Sequence, residues 1–262
     1  MSGTESEQSP VLFEVRGRVA IITLNRPTRR NAINAATSSA LRAAIYRLEQ
    51  DANLSVGILC GAGPVFCAGM DLVAFTNGEA EEILFGQGHF AGLASRERTR
   101  PLIAAVQGAA LAGGFELALA CDMIVAASGS QFGLPEAKRG LIAGAGGAFR
   151  LGQRLPPAIA REMVLTGNPI SAEQALQLGL INRIVPTENV LDAALDIAGQ
   201  VAANAPLSLA NGLRLVNAAC APDENRLWAE NDRLLRDIIA SADAQEGAAA
   251  FTEKRAPHWQ GR

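Results

Sequence analysis

The chain has 262 residues, 49% hydrophobic and 19% charged, with a formal net charge of −3. That is globular composition with ample material for a core, and the acidic balance argues against a nucleic-acid footprint. The apolar run over 102–127 is interrupted by Gln107, Glu116 and Asp122, so it is not read as a membrane span.

The chain opens with MSGTESEQSP, which has neither the charged-then-apolar pattern of a secretion signal nor the Arg-rich character of a transit peptide. Residues 1–10 are expected to be a disordered start, and the protein to be cytoplasmic. VLFEV and VAIITL flank a short link, Arg16–Arg18, which predicts a β-hairpin. NRP, Asn25–Pro27, ends the second strand. Leu41, Ala44, Ile45 and Leu48 recur at helical spacing, so Ala35–Asp51 reads as an amphipathic helix. VGILC reads as a buried strand, Gly61–Leu72 as a glycine-rich loop, and Gly78–Arg98 as a mobile helical stretch. LIAAV and MIVAA are further strands. Short apolar strands alternating with helices indicate an α/β domain with parallel pairing. After Pro186 the segments Asn189–Ala203, Leu207–Cys220 and Glu224–Ala240 read as helices near polar or proline starts, forming a helical appendage.

Cys60, Cys67, Cys121 and Cys220 make no C-x-x-C pair, and only two histidines are present. Both facts argue against a zinc site or a disulfide framework, and the cysteines are expected to be buried thiols in a reducing compartment. Three glycine-bearing patches stand out: PVFCAGMDL, GAALAGGFELALACD and FGLPEAKRGLIAGAGGAFRL. Glycines let the backbone approach a ligand and present bare N–H groups. None of the three has the spacing of a phosphate-binding loop or a dinucleotide fingerprint. Asp71 is placed to cap a short helix.

Glu116 interrupts the apolar LAGGFELALACD, one helical turn after Gly113. Glu136 follows Pro135 in a polar loop. Two carboxylates and a cluster of free N–H donors are the parts for acid–base chemistry on a polarised carbonyl. The plainer readings also stand: Glu116 bonded to nearby backbone or an arginine, and Glu136 an ordinary surface acid.

At these residues the chain resembles the crotonase superfamily, the enoyl-CoA hydratase/isomerase family. NRPTRRNAIN, VFCAGMDL, AVQGAALAGGFELALACD, QFGLPEAKRGLIAGAGGAFRL and FTEKR carry the resemblance, which runs from about Val11 to Arg262. It implies an α/β spiral of strand-strand-helix units over residues 11–195, with a helical oligomerisation region over 196–262 that builds a homotrimer or a dimer of trimers. It implies an acyl-CoA thioester as substrate, no tightly bound cofactor, no metal, and no nucleic-acid or membrane partner.

By motif position, the N–H groups of Ala68 and Gly113 would form an oxyanion hole. Arg30, Asn31, Ala32 and Ile33, together with Ala68, Gly69, Met70, Asp71 and Leu72, would line the CoA. Phe251 and Lys254 match positions that reach a neighbour's CoA. Carrying both acids resembles the hydratases: Glu116 would position and deprotonate water for attack at C3, and Glu136 would deliver a proton to C2. Asp122 is read as structural support. The strings FELALA, LPEAK and FTEKRAPHWQGR are most similar to the carnitinyl-CoA dehydratase branch. Ala112 stands where the family often has glycine, and Ala143 where it often has proline. The rival expectations are an enoyl-CoA isomerase and a non-catalytic acyl-CoA-binding or RNA-binding member.

Overall fold

The first two apolar runs pair antiparallel as β1 (Val11–Arg16) and β2 (Val19–Leu24), turning at Gly17 with φ +58°. The computed structural model describes residues 9–220 and 223–262. The expected disordered start lies, through residue 8, outside the described residues. The chain continues through α1 (Ala35–Gln50), β3 (Val56–Gly61), α2 (Leu72–Thr76), α3 (Ala80–Phe85), β4 (Leu102–Val106), β5 (Ala109–Leu111) and α4 (Gly113–Ala120). Then come β6 (Met123–Ala127), β7 (Gln131–Gly133), α5 (Gly147–Arg154), α6 (Pro157–Thr166), β8 (Ile170–Ser171), α7 (Ala172–Gln177) and β9 (Arg183–Val185). Four helices close it: α8 (Val190–Ala202), α9 (Pro206–Cys220), α10 (Glu224–Ile239) and α11 (Ala242–Glu253).

The main sheet has the order β1-β2-β3-β4-β6-β9, parallel from β2 onward, and a smaller sheet runs β5-β7-β8. β4 is followed by β5 and β6 by β7, so each turn of chain gives one strand to each sheet. After β3 the same role falls to Cys67, which bridges to Ala110, and Met70, which bridges to Ile33. That repetition is the expected spiral.

The inner strands read as unbroken apolar runs because both faces of the main sheet are covered. On one face Leu41, Ala44, Ile45 and Leu48 of α1 join the larger core, as their spacing requires; Asn34 caps that helix by accepting from Thr37 N at 3.0 Å. On the other, Val19, Ile21, Val56, Ile58, Ile103 and Val125 pack with Val190, Ala194, Ile197 and Ala198 of α8. The boundary expected at 195 therefore falls inside α8, a helix that seals the sheet as one piece. α9 buries none of its residues, and Leu207 and Leu215 are exposed. α11 lies within the helical region expected over 196–262, but with no strong apolar period it is not read as a separate helix from the residues.

The 78–98 stretch is not one helix. α3 stops at Gly86, and the chain then turns through His89 and Ala91 at φ +55° and +57° so that Phe90 can enter the core. Cys60, Cys67 and Cys121 are buried as expected, whereas Cys220 is exposed on α9. Asp122 has the expected supporting role: it accepts from Arg98 at 2.8 and 3.1 Å and from Leu102 N at 2.7 Å. No helix among the described residues is long and apolar enough to cross a membrane.

Ala112, leading into α4, has φ +50° and ψ −133°, a region that costs a residue with a Cβ about 1–3 kcal/mol. Ala112→Gly relieves that strain and gives back about 0.4–1 kcal/mol in unfolded-chain entropy. The expected result is a Tm higher by about 2–4 °C in thermal unfolding. A lower Tm would contradict the strain.

Candidate active site

Two loops distant in sequence are zipped together beside the small sheet. Arg26 pairs with Asp71 at 3.0 Å and donates to the Ala32 carbonyl at 2.5 Å. Ile33 N donates to Gly69 O and Asp71 N to Ile33 O, both at 2.8 Å. Asp71 also caps α2, accepting from Val73 N at 3.1 Å, and Leu72 opens that helix half-buried. The Asn31 side chain accepts from Arg26 N and donates to Ala62 O and Val65 O. It is fully engaged in shaping the loop, with φ +55° beside Arg30 at +52°. The segments expected to line one ligand, 30–33 and 68–72, are thus brought together. Phe251 and Lys254 lie exposed at the end of α11, where Arg139 covers the Phe251 ring at 4.4 Å. No hydrogen bond joins them to those segments among the described residues.

The oxyanion expectation needs one correction. Ala68 N–H donates to Arg30 O at 3.0 Å, so that donor is spent inside the protein. The N–H groups of Met70 and Gly113 have no partner among the described residues. Gly69 O and Asp71 N both face Ile33. A trans peptide points the Met70 N–H opposite to Gly69 O, away from Ile33. Gly113 lies beside this loop: a Cβ on Gly69 would sit 3.0 Å from Gly113 N and 2.8 Å from the Ala112 methyl. Gly113 is also the first residue of α4, where the helix dipole favours negative charge. Motif spacing pointed to Ala68 and not to Met70 because which of two alternating N–H groups is free depends on the partner strand.

Glu116 is 3% exposed on α4. Its Oε1 accepts from Ala145 N and Gly147 N, both at 2.8 Å, while Oε2 has no hydrogen bond among the described residues. Gly147 must lack a side chain, since a Cβ there would lie 2.7 Å from Oε1. The third glycine patch therefore aims its bare N–H groups at a protein carboxylate. Burial pushes the Glu116 pKa up to about 7, against the pull of those two N–H groups and of Arg150.

Glu136 sits on a single 3-10 turn, Pro135–Arg139, and is buried, not the surface acid of the plainer reading. Neither carboxylate oxygen has a hydrogen-bond partner among the described residues. Burial, and then the charge of Glu116, push its pKa well above the usual carboxylate range. α11 seats this turn from outside: Gly247 lies against Arg139 O and Gly140 against Asp243 O.

α10 closes the far side, a contribution with no signal in the sequence. Asn231 donates to Gly144 O at 2.6 Å, and Trp228 packs on Gly146. His89 bonds Ser95 Oγ at 2.5 Å and Asp232 at 2.8 Å and lies 4.4 Å from Trp228. It ties the 86–95 turn to α10. A cavity of about 400 Å³ runs from Glu136 between the 134–143 segment, α5, α6 and α10. Cys67 abuts the donor loop, but burial pushes its thiol up to about 12, so it is inert packing. No cluster of His, Cys, Asp and Glu suited to a metal occurs among the described residues.

Comparison with known proteins finds relatives over nearly the whole chain. A family model described as Enoyl-CoA hydratase/isomerase matches residues 14–262. A carnitinyl-CoA dehydratase of Proteus mirabilis is 42% identical over 257 residues, covering 94% of this chain and 97% of that protein. The crystal structure of carnitinyl-CoA hydratase from Mycobacterium avium superposes with a TM-score of 0.91 at 44% identity, covering 97% of this chain and 100% of that one. The enoyl-CoA hydratase EchA1 of Mycobacterium marinum gives 0.79 at 50% identity, with the same coverage.

Proposed function

Since the chain belongs to the enoyl-CoA hydratase/isomerase family, we propose that it adds water across the C2–C3 double bond of an enoyl-CoA thioester. The observation that carries this reading is the split between two neighbouring buried acids. Glu136, unpartnered and held protonated, is the acid; Glu116, kept ionisable near neutral pH by two N–H donors, is the base. Acids whose surroundings set them apart in this way divide the roles of general acid and base.

In the proposed reaction the thioester oxygen sits between the N–H groups of Met70 and Gly113. Those donors polarise the conjugated system and hold the negative charge that develops on that oxygen. Glu116 Oε2 takes a proton from water as the oxygen bonds to C3. Glu136 gives its proton to C2. Hydroxyl and proton are thus both added to the substrate, and the proton lost by Glu136 matches the one gained by Glu116. The steps call on carboxylates, backbone donors and water, with no resident cofactor.

The zipped 30–33 and 68–72 segments are proposed to hold the CoA, through backbone groups, since the Asn31 and Asp71 side chains are engaged within the protein. The uncovered α9 supports a homotrimer or dimer of trimers, in which Phe251 and Lys254 would face a neighbour's CoA; a solution mass tests it. A cytoplasmic location completes the reading.

Purified protein given crotonyl-CoA is expected to yield 3-hydroxybutyryl-CoA. If crotonyl-, hexenoyl- and crotonobetainyl-CoA are all recovered unchanged, the reading is wrong. Gly69→Ala places a methyl 3.0 Å from Gly113 N and 2.8 Å from the Ala112 methyl, at a φ of +96°, and so displaces the loop from the Gly113 N–H. Its kcat is expected to fall about 10²- to 10³-fold, the usual effect of losing one oxyanion donor. An unchanged kcat would remove Gly113 from the hole.

A further inference from the structure

We infer that the acyl end of this site takes an uncharged aliphatic tail and discriminates against a cationic one. The inference rests on the hydratase reading and deepens it. The cavity beyond Glu136 is walled by Leu134, Leu141, Ile142, Phe149, Leu227 and Leu234. A quaternary ammonium entering such walls leaves water behind. It needs either a free carboxylate or the faces of aromatic rings in exchange.

The walls supply neither. Glu230, at the rim, is already held by both nitrogens of the Arg233 fork, at 2.8 and 3.1 Å. Asn231 spends its amide on Gly144 O at 2.6 Å. Glu136 is the acid of the proposed reaction, and burial together with the charge of Glu116 disfavours its ionised form. Phe149 is the one aromatic side chain in the wall among the described residues. A cation is already beside it, because the Arg150 guanidinium lies 5.6 Å from the Phe149 ring and 5.4 Å from the Trp228 ring behind it. Arg150, itself paired with Glu224, therefore uses the aromatic faces a second cation would need. A hydrocarbon tail meets apolar surface instead, and each methylene it buries contributes about fourfold in affinity. The chain would then share a reaction with relatives named carnitinyl-CoA dehydratase and differ from them in the tail.

The test compares crotonobetainyl-CoA with the same enoyl-CoA carrying a tert-butyl group in place of the trimethylammonium. The two are matched in shape and differ in charge. kcat/KM is measured for both, and Kd for their saturated analogues. The expected result favours the neutral tail by about tenfold or more in both quantities, with kcat/KM also rising from crotonyl- to hexenoyl-CoA. Equal or better binding of the cationic tail overturns the inference. If the neutral analogue binds better but neither enoyl-CoA is hydrated, the tail preference stands and the hydratase reading falls. Leu227→Glu, which adds a carboxylate to the wall, is expected to narrow the Kd ratio; an unchanged ratio would mean that the tail does not lie in this cavity.

Discussion

Glu136→Gln is expected to lower kcat for hydration about 10²- to 10⁴-fold, the range for losing a general acid, while the protein stays folded. The shape of the side chain is kept and only the transferable proton is lost. Among the described residues neither Glu136 oxygen has a hydrogen bond to break, so the fold does not depend on the carboxyl. The pH dependence of stability has a definite sign. An unfolded Glu136 gives up its proton near 4.5, whereas the folded chain holds it to higher pH. Between those points the folded state binds more protons than the unfolded state, so wild-type stability falls as pH rises. Glu136→Gln lacks that penalty and is expected to gain in Tm relative to wild type on going from pH 4.5 toward neutral. A parallel Tm profile in the two proteins would show that Glu136 is not buried as described.

Glu116→Gln is expected to cost kcat a comparable 10²- to 10⁴-fold. The glutamine oxygen can still accept from Ala145 N and Gly147 N, so the local backbone is kept and the base is removed. The wild-type rate is expected to fall as pH drops through about 7, where Glu116 takes up a proton. It is also expected to fall at higher pH, where Glu136 loses the proton it must give. The residual rate of Glu116→Gln should lack the acidic limb. Persistence of that limb would assign it to another group.

Much of this architecture was legible in the residues themselves. Strands buried on both faces announce themselves as apolar runs, and α1 by its 3.6-residue period. Glu116 was conspicuous because a lone acid in LAGGFELALACD demanded a partner. What the third patch does was not legible: its glycines looked like ligand donors, and the N–H groups of Ala145 and Gly147 instead hold Glu116. The choice between Ala68 and Met70 was also hidden, because the free N–H is decided by pairing with Arg30 and Ile33, more than thirty residues away. The polar PEAKR string suggested a surface acid at Glu136; α11 covers that turn, and its small residues gave no period to detect.

The most direct test of the account is hydration of crotonyl-CoA in water enriched in ¹⁸O, with the product mass measured at early times. The account predicts 3-hydroxybutyryl-CoA carrying one labelled oxygen at C3, formed by wild type and nearly absent with Glu116→Gln or Glu136→Gln. Conversion of the enoyl-CoA to a positional isomer with no oxygen gained, or labelled product formed equally fast by either variant, would contradict it.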